Sequence, residues 1–184
     1  MDRDEFYFRA SVVFALDNTH EEAAKMLGTL HHLERVPEPS PYLACYYTNI
    51  AACKDTDGAA SYFYGDSVLH LDNHLHGDNI ANGYNVWPAV FFWMRKSLDL
   101  GFNSCDMGCE DARELLKKWE SFAQSLCGNC GRKVQTGEKF KQCSKCKAQW
   151  YCCKECQVKA WWAGHKKDCK RARILKFEDY LNAD

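Results

Sequence analysis

The stretch that decides the fold runs from residue 127 to residue 169 and reads CGNCGRKVQTGEKFKQCSKCKAQWYCCKECQVKAWWAGHKKDC. Two C-x2-C pairs let two thiolates each reach one ion from a tight turn, and two later pairs, spaced four apart, can share a helix face. Eight ligands suffice for two four-coordinate sites, and sulfur-rich tetrahedral sites typically hold zinc. The sequence therefore predicts two Zn2+ ions. The ligand residues are Cys127, Cys130, Cys143, Cys146, Cys152, Cys156, His165 and Cys169.

This stretch resembles a MYND-type zinc finger. The resemblance is carried by the two C-x2-C pairs, by the YCxxxCQ run that starts at Tyr151, by Trp161 and by the HKxxC run that starts at His165. It implies that the two sites interleave and that the finger contains a short β-hairpin and helices. One ion would be held by Cys127, Cys130, Cys152 and Cys156, and the other by Cys143, Cys146, His165 and Cys169.

The predicted metal is structural. A segment of this length cannot bury enough apolar surface to offset its chain entropy, so zinc must supply much of its folding free energy. Protein ligands fill every coordination position, which leaves no room for a reactive water. The alternative for these cysteines is a disulfide framework, but the start MDRDEFYF shows no export signal. We therefore expect an intracellular protein, nuclear or cytoplasmic.

The same resemblance implies a protein-binding role. MYND-type fingers capture short proline-containing peptides, commonly of a PxLxP type, and the positions that contact the peptide correspond to Ser144, Gln157 and Trp161. An extended proline-rich peptide has little entropy to lose, Trp offers it a flat apolar face, and Gln and Ser can hydrogen-bond its backbone. Two alternatives stay open: Trp161 only packs the small core, and Gln157 is only solvated.

Two residues of the finger depart from the family pattern. Cys153 follows the ligand Cys152 directly and is interpreted as a bystander thiol, although it could compete for metal or oxidise. Trp162 doubles Trp161, and adjacent helical residues point about 100 degrees apart. One tryptophan can therefore pack inward while the other widens an exposed aromatic patch.

Composition and charge indicate a folded chain with two unlike halves. The hydrophobic content is 46%, which excludes a largely disordered chain, and no apolar run reaches the roughly 20 residues of a membrane span. Residues 1–126 carry 10 Lys and Arg against 19 Asp and Glu, whereas residues 127–184 carry 14 against 6. A basic finger beside an acidic domain could bind nucleic acid or an acidic partner, or the two halves could dock on each other.

Residues 1–126 are predicted to be helical. The pattern indicates helices over residues 4–17, 19–36 and from residue 41 onward, separated by the VPEPSP break at residues 36–41. Thr19 with Glu22 has the form of a capping box, and Ser40 is a candidate N-cap before Pro41. Further helices are expected from Ala59 to about Asp72, over residues 87–100 and over residues 109–126. Leu43, Tyr46, Tyr47 and Ile50 form the apolar stripe of the third helix.

Two other groups of residues could carry chemistry in this half. His70, His74 and His76, with Asp72 and Asp78, could be drawn as a metal site, but the favoured interpretation is an exposed loop over residues 73–85. Cys105 and Cys109 have ligand-like spacing without a second pair and are interpreted as free cysteines, whereas Cys45 and Cys53 are expected near the core.

The predicted architecture is mainly α, with three parts. Residues 1–126 form stacked helical hairpins that weakly resemble tetratricopeptide-like repeats, residues 127–169 form the finger, and residues 170–184 form a helical tail that folds back on the N-terminal domain. The predicted function is a zinc-binding adaptor for a protein partner with a proline-rich motif, with a possible role in transcriptional regulation. The alternatives are a basic nucleic-acid module, which the acidic domain disfavours, and a fragment of a SET-and-MYND-like methyltransferase. We expect no enzyme, since no triad, phosphate loop or cofactor motif is recognisable.

Overall fold

The computed structural model describes residues 3–76, 86–102 and 111–171 and is mainly α, as predicted. The N-terminal part contains the helices α1 (Arg3–Leu16), α2 (Glu21–His32), α3 (Pro41–Cys53), α4 (Ala59–His76), α5 (Trp87–Asp99) and α6 (Ala112–Gln124). The finger contains the strands β1 (Lys141–Gln142) and β2 (Trp150–Tyr151), the helix α7 (Lys154–Ala160), a π-helical turn (Trp161–His165) and the helix α8 (Lys166–Arg171). Among the described helices, none combines the length and apolar character needed to cross a membrane.

The first five helices stack in sequence order. Each of α1 to α4 packs against its successor, α2 also contacts α4, and α5 packs against α6. Residues 59–67 of α4 are all buried, so α4 is the central helix of the stack. Stacked helical hairpins are therefore present.

Of the two predicted helix caps, the one at Ser40 is confirmed and the one at Thr19 is not. Ser40 caps α3 as predicted, because its side chain accepts a hydrogen bond from the backbone N–H of Leu43. The capping box at Thr19 is wrong. His20 caps α2 by accepting from the N–H of Ala23 through Nδ1, while the Thr19 hydroxyl donates to Asp17.

The ends of two other helices differ from the prediction. Helix α2 ends at His32, before the prolines of the VPEPSP break, and α4 continues to His76. The loop prediction is therefore wrong for residues 73–76, where the Asn and His residues extend the helix. The rest of that loop, residues 77–85, lies outside the described residues, as do Asp78, Cys105, Cys109 and residues 172–184 of the predicted tail.

The apolar stripe predicted for α3 is not its most buried face. Its large members are only half-buried, and the fully buried residues are smaller: Ala44, Thr48, Asn49, Ala51 and Ala52. The reason is a close approach between α2 and α3, in which a Cβ placed on Gly28 would lie 2.5 Å from Cγ2 of Thr48. Helices that approach this closely need small side chains at the contact, which periodicity of large apolar residues does not detect.

The finger lies directly on the helical part. One hydrophobic cluster contains buried residues of α4, α5 and α6 together with Ala148, Trp150 and Tyr151 of the finger. Phe91 of α5 is fully buried and meets Trp150 edge to face, with ring centroids 6.3 Å apart. The division of the chain at residue 127 stays a prediction from the sequence, and the hydrophobic core continues across it.

Candidate metal centre

The eight predicted ligands gather into two groups of four. Within each group the ligand atoms, sulfur or imidazole nitrogen, all lie within 4.8 Å of one another. The first group is partly exposed, whereas every member of the second is buried. The groups are Cys127, Cys130, Cys152 and Cys156, and Cys143, Cys146, His165 and Cys169. The interleaved arrangement implied by the resemblance is therefore the arrangement in the structure.

Tight backbone turns present the two C-x2-C pairs. Gly131 follows the first pair with φ 68°, a left-handed conformation, and donates its N–H to the carbonyl of Cys127. In the second turn Lys147 has φ 56° and donates to the carbonyl of Cys143. Both turns reverse the chain directly after the second thiol, so the two sulfurs of each pair face the same point.

Strand β2 and the helices that follow supply the remaining ligands. Strands β1 and β2 pair antiparallel, with Gln142 opposite Trp150, and β2 ends next to Cys152. Cys156 lies on α7, four residues later. The helical path then kinks at Gly164 (φ 158°, ψ −29°), immediately before His165. His165 and Cys169 are again four apart, as the sequence predicts for one helix face.

The distances within the groups suit zinc and exclude disulfides. Ligands at about 2.3 Å from a tetrahedral ion place neighbouring sulfurs roughly 3.8 Å apart, whereas a disulfide holds its sulfurs at about 2.05 Å. The sulfurs of Cys130 and Cys152 are 3.8 Å apart, and those of Cys152 and Cys156 are 3.5 Å apart. In the second group Nε2 of His165 lies 3.4 Å from the sulfur of Cys143 and 3.7 Å from that of Cys146. The residues present therefore fit two zinc ions.

The surroundings of one thiol in the first group, and of Cys143 and Cys169 in the second, lower the pKa toward the thiolate that a metal requires. Burial opposes ionisation of Cys127, but the backbone N–H groups around it, those of Cys130 and Cys152 foremost, outweigh that cost and lower its pKa to about 6. In the second group the thiol of Cys146, with His165 adding to its effect, lowers the pKa of Cys169 to about 4. Hydrogen bonds to the charged form stabilise it.

The extra thiol Cys153 has a structural role that the sequence did not reveal. Its side chain caps α7 by accepting the backbone N–H of Cys156 at 3.4 Å, and its sulfur lies 3.8 Å from that of Cys152. It is thus a neighbour of the first group rather than one of the four gathered ligands. A Ser or Thr in the position before the helix would have been a recognisable cap; a Cys gives no such signal.

The three residues assigned to peptide binding lie in the second C-x2-C turn, on α7 and directly after α7. Ser144 is exposed in the turn between Cys143 and Cys146, and its neighbour Lys145 places Nζ 5.1 Å from the centroid of the Trp161 ring. Gln157 is half-buried on α7, one helical turn before Trp161, whose N–H bonds to the carbonyl of Gln157. The peptide-binding role itself stays a prediction.

The adjacent residues Trp161 and Trp162 differ in burial, as predicted. Trp161 is half-buried and packs edge to face on the ligand His165, with centroids 5.9 Å apart. Trp162 is 75% exposed, with Nζ of Lys166 5.7 Å from its ring centroid. We call Lys145, Trp161, Trp162 and Lys166 the basic aromatic surface of the finger.

Sequence reasoning missed the residue that ties the second metal group to the helical part. Arg95 of α5 donates to the carbonyls of Cys146 (3.3 Å) and Lys147 (2.9 Å) and pairs with Glu120 of α6. It therefore fixes the turn that carries Ser144. No motif in the sequence marks this arginine, because its partners lie 25 to 52 residues later and two of them are backbone carbonyls.

Comparison with known proteins identifies the finger. Residues 127–169 match the family model of the MYND finger. No solved structure matches the chain. The matched family and the two ligand groups together make this segment a zinc-binding protein-interaction module.

Proposed function

We propose that the chain is a non-catalytic adaptor whose finger captures a short proline-containing peptide, of a PxLxP type, from a protein partner in transcriptional regulation. The observation that carries the proposal is the contact between Lys145 and Trp161. This contact brings the turn of Ser144 against Trp161, which directly follows the helix that carries Gln157, so that residues with hydrogen-bonding groups precede and face an aromatic ring.

The chemistry of these side chains suits an extended peptide. The indole of Trp161 is held by His165 on one side, which fixes the orientation of the ring before a ligand arrives. The exposed Ser144 can hydrogen-bond a peptide backbone, and Gln157 can both donate and accept. Trp162 adds apolar area next to Trp161. Lys145 and Lys166, whose Nζ atoms lie over these two rings, are both exposed.

Both predicted zinc ions have a structural role in this proposal. Zinc supplies the folding free energy that positions α7 and the kinked turn, and Cys152, Cys156, His165 and Cys169 hold these segments around it. With four protein ligands for each ion, the residues leave no position for an activated water, which supports a binding role over a hydrolytic one.

The test uses the full zinc-loaded chain, because the finger shares its core with α5 and cannot be assumed to fold alone. Fluorescence anisotropy would follow a labelled PxLxP-type peptide and the same peptide with its prolines replaced by alanine. We expect the PxLxP-type peptide to bind and the alanine-substituted peptide not to bind. Trp161→Ala should weaken it by about thirtyfold, since a central aromatic contact is worth about 2 kcal/mol.

Two further variants separate the groove from the fold. Gln157→Ala should weaken binding and leave zinc content unchanged, whereas Trp162→Ala, a change to the neighbouring exposed ring, should have the smaller effect. Retained affinity in both Trp161→Ala and Gln157→Ala would contradict the assigned groove. Binding of single-stranded nucleic acid that weakens steeply with salt would favour the basic nucleic-acid module instead.

A further inference from the structure

A second group of metal-ligand side chains lies in the helical part, away from the finger. His32, the last residue of α2, places Nε2 at 3.1 Å from Oδ2 of Asp66 on α4. His70, one turn later on α4, places its Nε2 at 3.9 Å from the same oxygen. The two imidazole rings are 5.1 Å apart between centroids. One carboxylate oxygen thus faces two imidazole nitrogens from different helices.

A nearby cation would stabilise the largely buried carboxylate of Asp66. The side chains of Asp66 and His32 are 12% and 8% exposed, so the carboxylate has lost most of its water. A buried carboxylate is costly unless a cation or several hydrogen bonds compensate it. Within the described residues, the groups that face Asp66 are the two imidazoles of His32 and His70.

A third residue orients His32. Nδ1 of His32 lies 3.1 Å from Oγ of Ser67, which leaves Nε2 directed at Asp66. Metal-binding histidines commonly make such a hydrogen bond through the second ring nitrogen. Ser67, His32 and Asp66 also have the residue types of a hydrolytic triad, but Ser67 is 0% exposed, so no substrate can reach its hydroxyl.

We propose that His32, Asp66 and His70 form a third metal site, specific for a divalent transition ion that prefers imidazole and carboxylate ligands, with Zn2+ as the reference ion. Ligands at 2.0–2.1 Å from a tetrahedral ion lie roughly 3.3 Å from one another. The measured 3.1 Å fits this value, and the 3.9 Å contact needs to shorten.

Binding of the ion requires the side chain of His70 to rotate toward Asp66. In the part of the chain that the structure describes, only the two cysteine-containing groups already bring three or more ligand atoms within 4.8 Å. The side chain of His70 is 57% exposed and can rotate toward Asp66 without disturbing the core. Its exposure also gives the ion a path from solvent. Three protein ligands leave a fourth position for water, as in zinc sites that are not closed.

The site differs in kind from the finger. It has no thiolate, so it binds more weakly than the two cysteine-containing groups and should fill only after them. It also joins α2 to the central helix α4. Occupation would therefore stabilise the helical stack and not the finger.

The experiment is a zinc titration of the full chain already loaded with two equivalents, followed by calorimetry and by equilibrium dialysis with metal analysis. We expect a third equivalent and a rise in the melting temperature. His70→Ala should weaken the third equivalent by at least about tenfold and leave the first two unchanged. Because the His70 side chain is exposed, this variant should fold without the third ion, which circular dichroism of the protein loaded with two equivalents checks.

Two control variants identify the ligands. His74→Ala changes an exposed histidine one turn further along α4 and should keep the third equivalent, as should Cys153→Ser, which removes the extra thiol of the finger. Binding of only two equivalents in a large excess of zinc would overturn the site. So would a third equivalent that survives in His70→Ala or disappears in Cys153→Ser.

Discussion

The substitution Phe91→Leu tests whether the finger is held by the helical part. Phe91 is fully buried on α5, stacked on Trp87 at 5.3 Å and edge to face with Trp150 of the finger at 6.3 Å. Leucine keeps an apolar side chain there but removes both aromatic pairs. Each pair is worth about 0.5–1.5 kcal/mol beyond its buried area, so the expected loss of stability is about 1–3 kcal/mol.

Part of this loss should appear in the finger itself. The Trp150 contact lies on β2, which leads into Cys152, and the same strand is followed by the turn into α7. If that pair contributes about 1 kcal/mol, local opening of the finger becomes about fivefold more frequent. The zinc ions should leave faster by the same factor. The assay mixes the zinc-loaded protein with an excess of a coloured chelator and follows zinc release without denaturant.

A matched control comes from the second hydrophobic cluster. Tyr64 of α4 is buried and meets Trp93 edge to face at 5.1 Å, in a cluster that contains no residue of the finger. Tyr64→Leu should lower the free energy of unfolding without accelerating zinc release. Equal acceleration in both variants, or none in Phe91→Leu, would refute the assignment of Phe91 as the local link.

Three further outcomes are expected. Gly28→Ala should destabilise the chain by about 1–3 kcal/mol in urea unfolding, because its Cβ would overlap Thr48; an unchanged midpoint would contradict the close approach of α2 and α3. Burial lowers the pKa of His31, so stability should be complete above the ordinary pKa of about 6.5 and fall as the pH drops below it. His31→Gln should flatten that slope, and an identical pH profile would remove His31 as its cause. Chelation of zinc should unfold residues 127–169, seen as exposure of Trp150 by fluorescence, and an unchanged spectrum would contradict a structural metal.

The sequence predicted the ligands of the finger well because metal coordination imposes local spacing. Pairs three or four residues apart are visible in a single chain, and the structure gathers all eight ligands at the expected distances. The pairing between the groups was implied only by the family resemblance, since spacing alone does not decide which pairs share an ion. The MYND finger match and the structure confirm that part.

The sequence was less informative where partners lie far apart in the chain. His32 and Asp66 are separated by 34 positions, and Asp66 received no attention because a single acidic residue in an apolar helix has no recognisable pattern. The loop predicted from residue 73 onward, with His74 and His76 on it, was wrong at its start, since α4 continues to His76. The side chain of His76 lies outside the described residues. His70 and His74 are one turn apart, and His70 is the one whose Nε2 lies 3.9 Å from Oδ2 of Asp66.

Helix caps and buried faces were also predictable only where adjacent residues determine them. The cap at Ser40 was predictable because the hydroxyl, the following proline and the helix start are adjacent in the chain. The cap at α2 was not, because His20 replaces Thr19 through an imidazole nitrogen, an uncommon cap. The buried face of α3 was missed since its small residues are selected by the approach of α2 rather than by hydrophobicity.

Arg95 connects the scaffold to the proposed peptide groove. Its guanidinium donates hydrogen bonds to the carbonyls of Cys146 and Lys147, at the end of the second C-x2-C turn. Through these bonds α5 fixes the position of that turn relative to α7. Ser144 and Lys145 lie in this turn, and Lys145 contacts Trp161 across the groove. Zinc alone would fix the sulfur positions but leave the turn free to tilt as a unit. If the proposed groove binds a peptide, the helical part holds the turn that forms one of its walls, through the hydrogen bonds of Arg95.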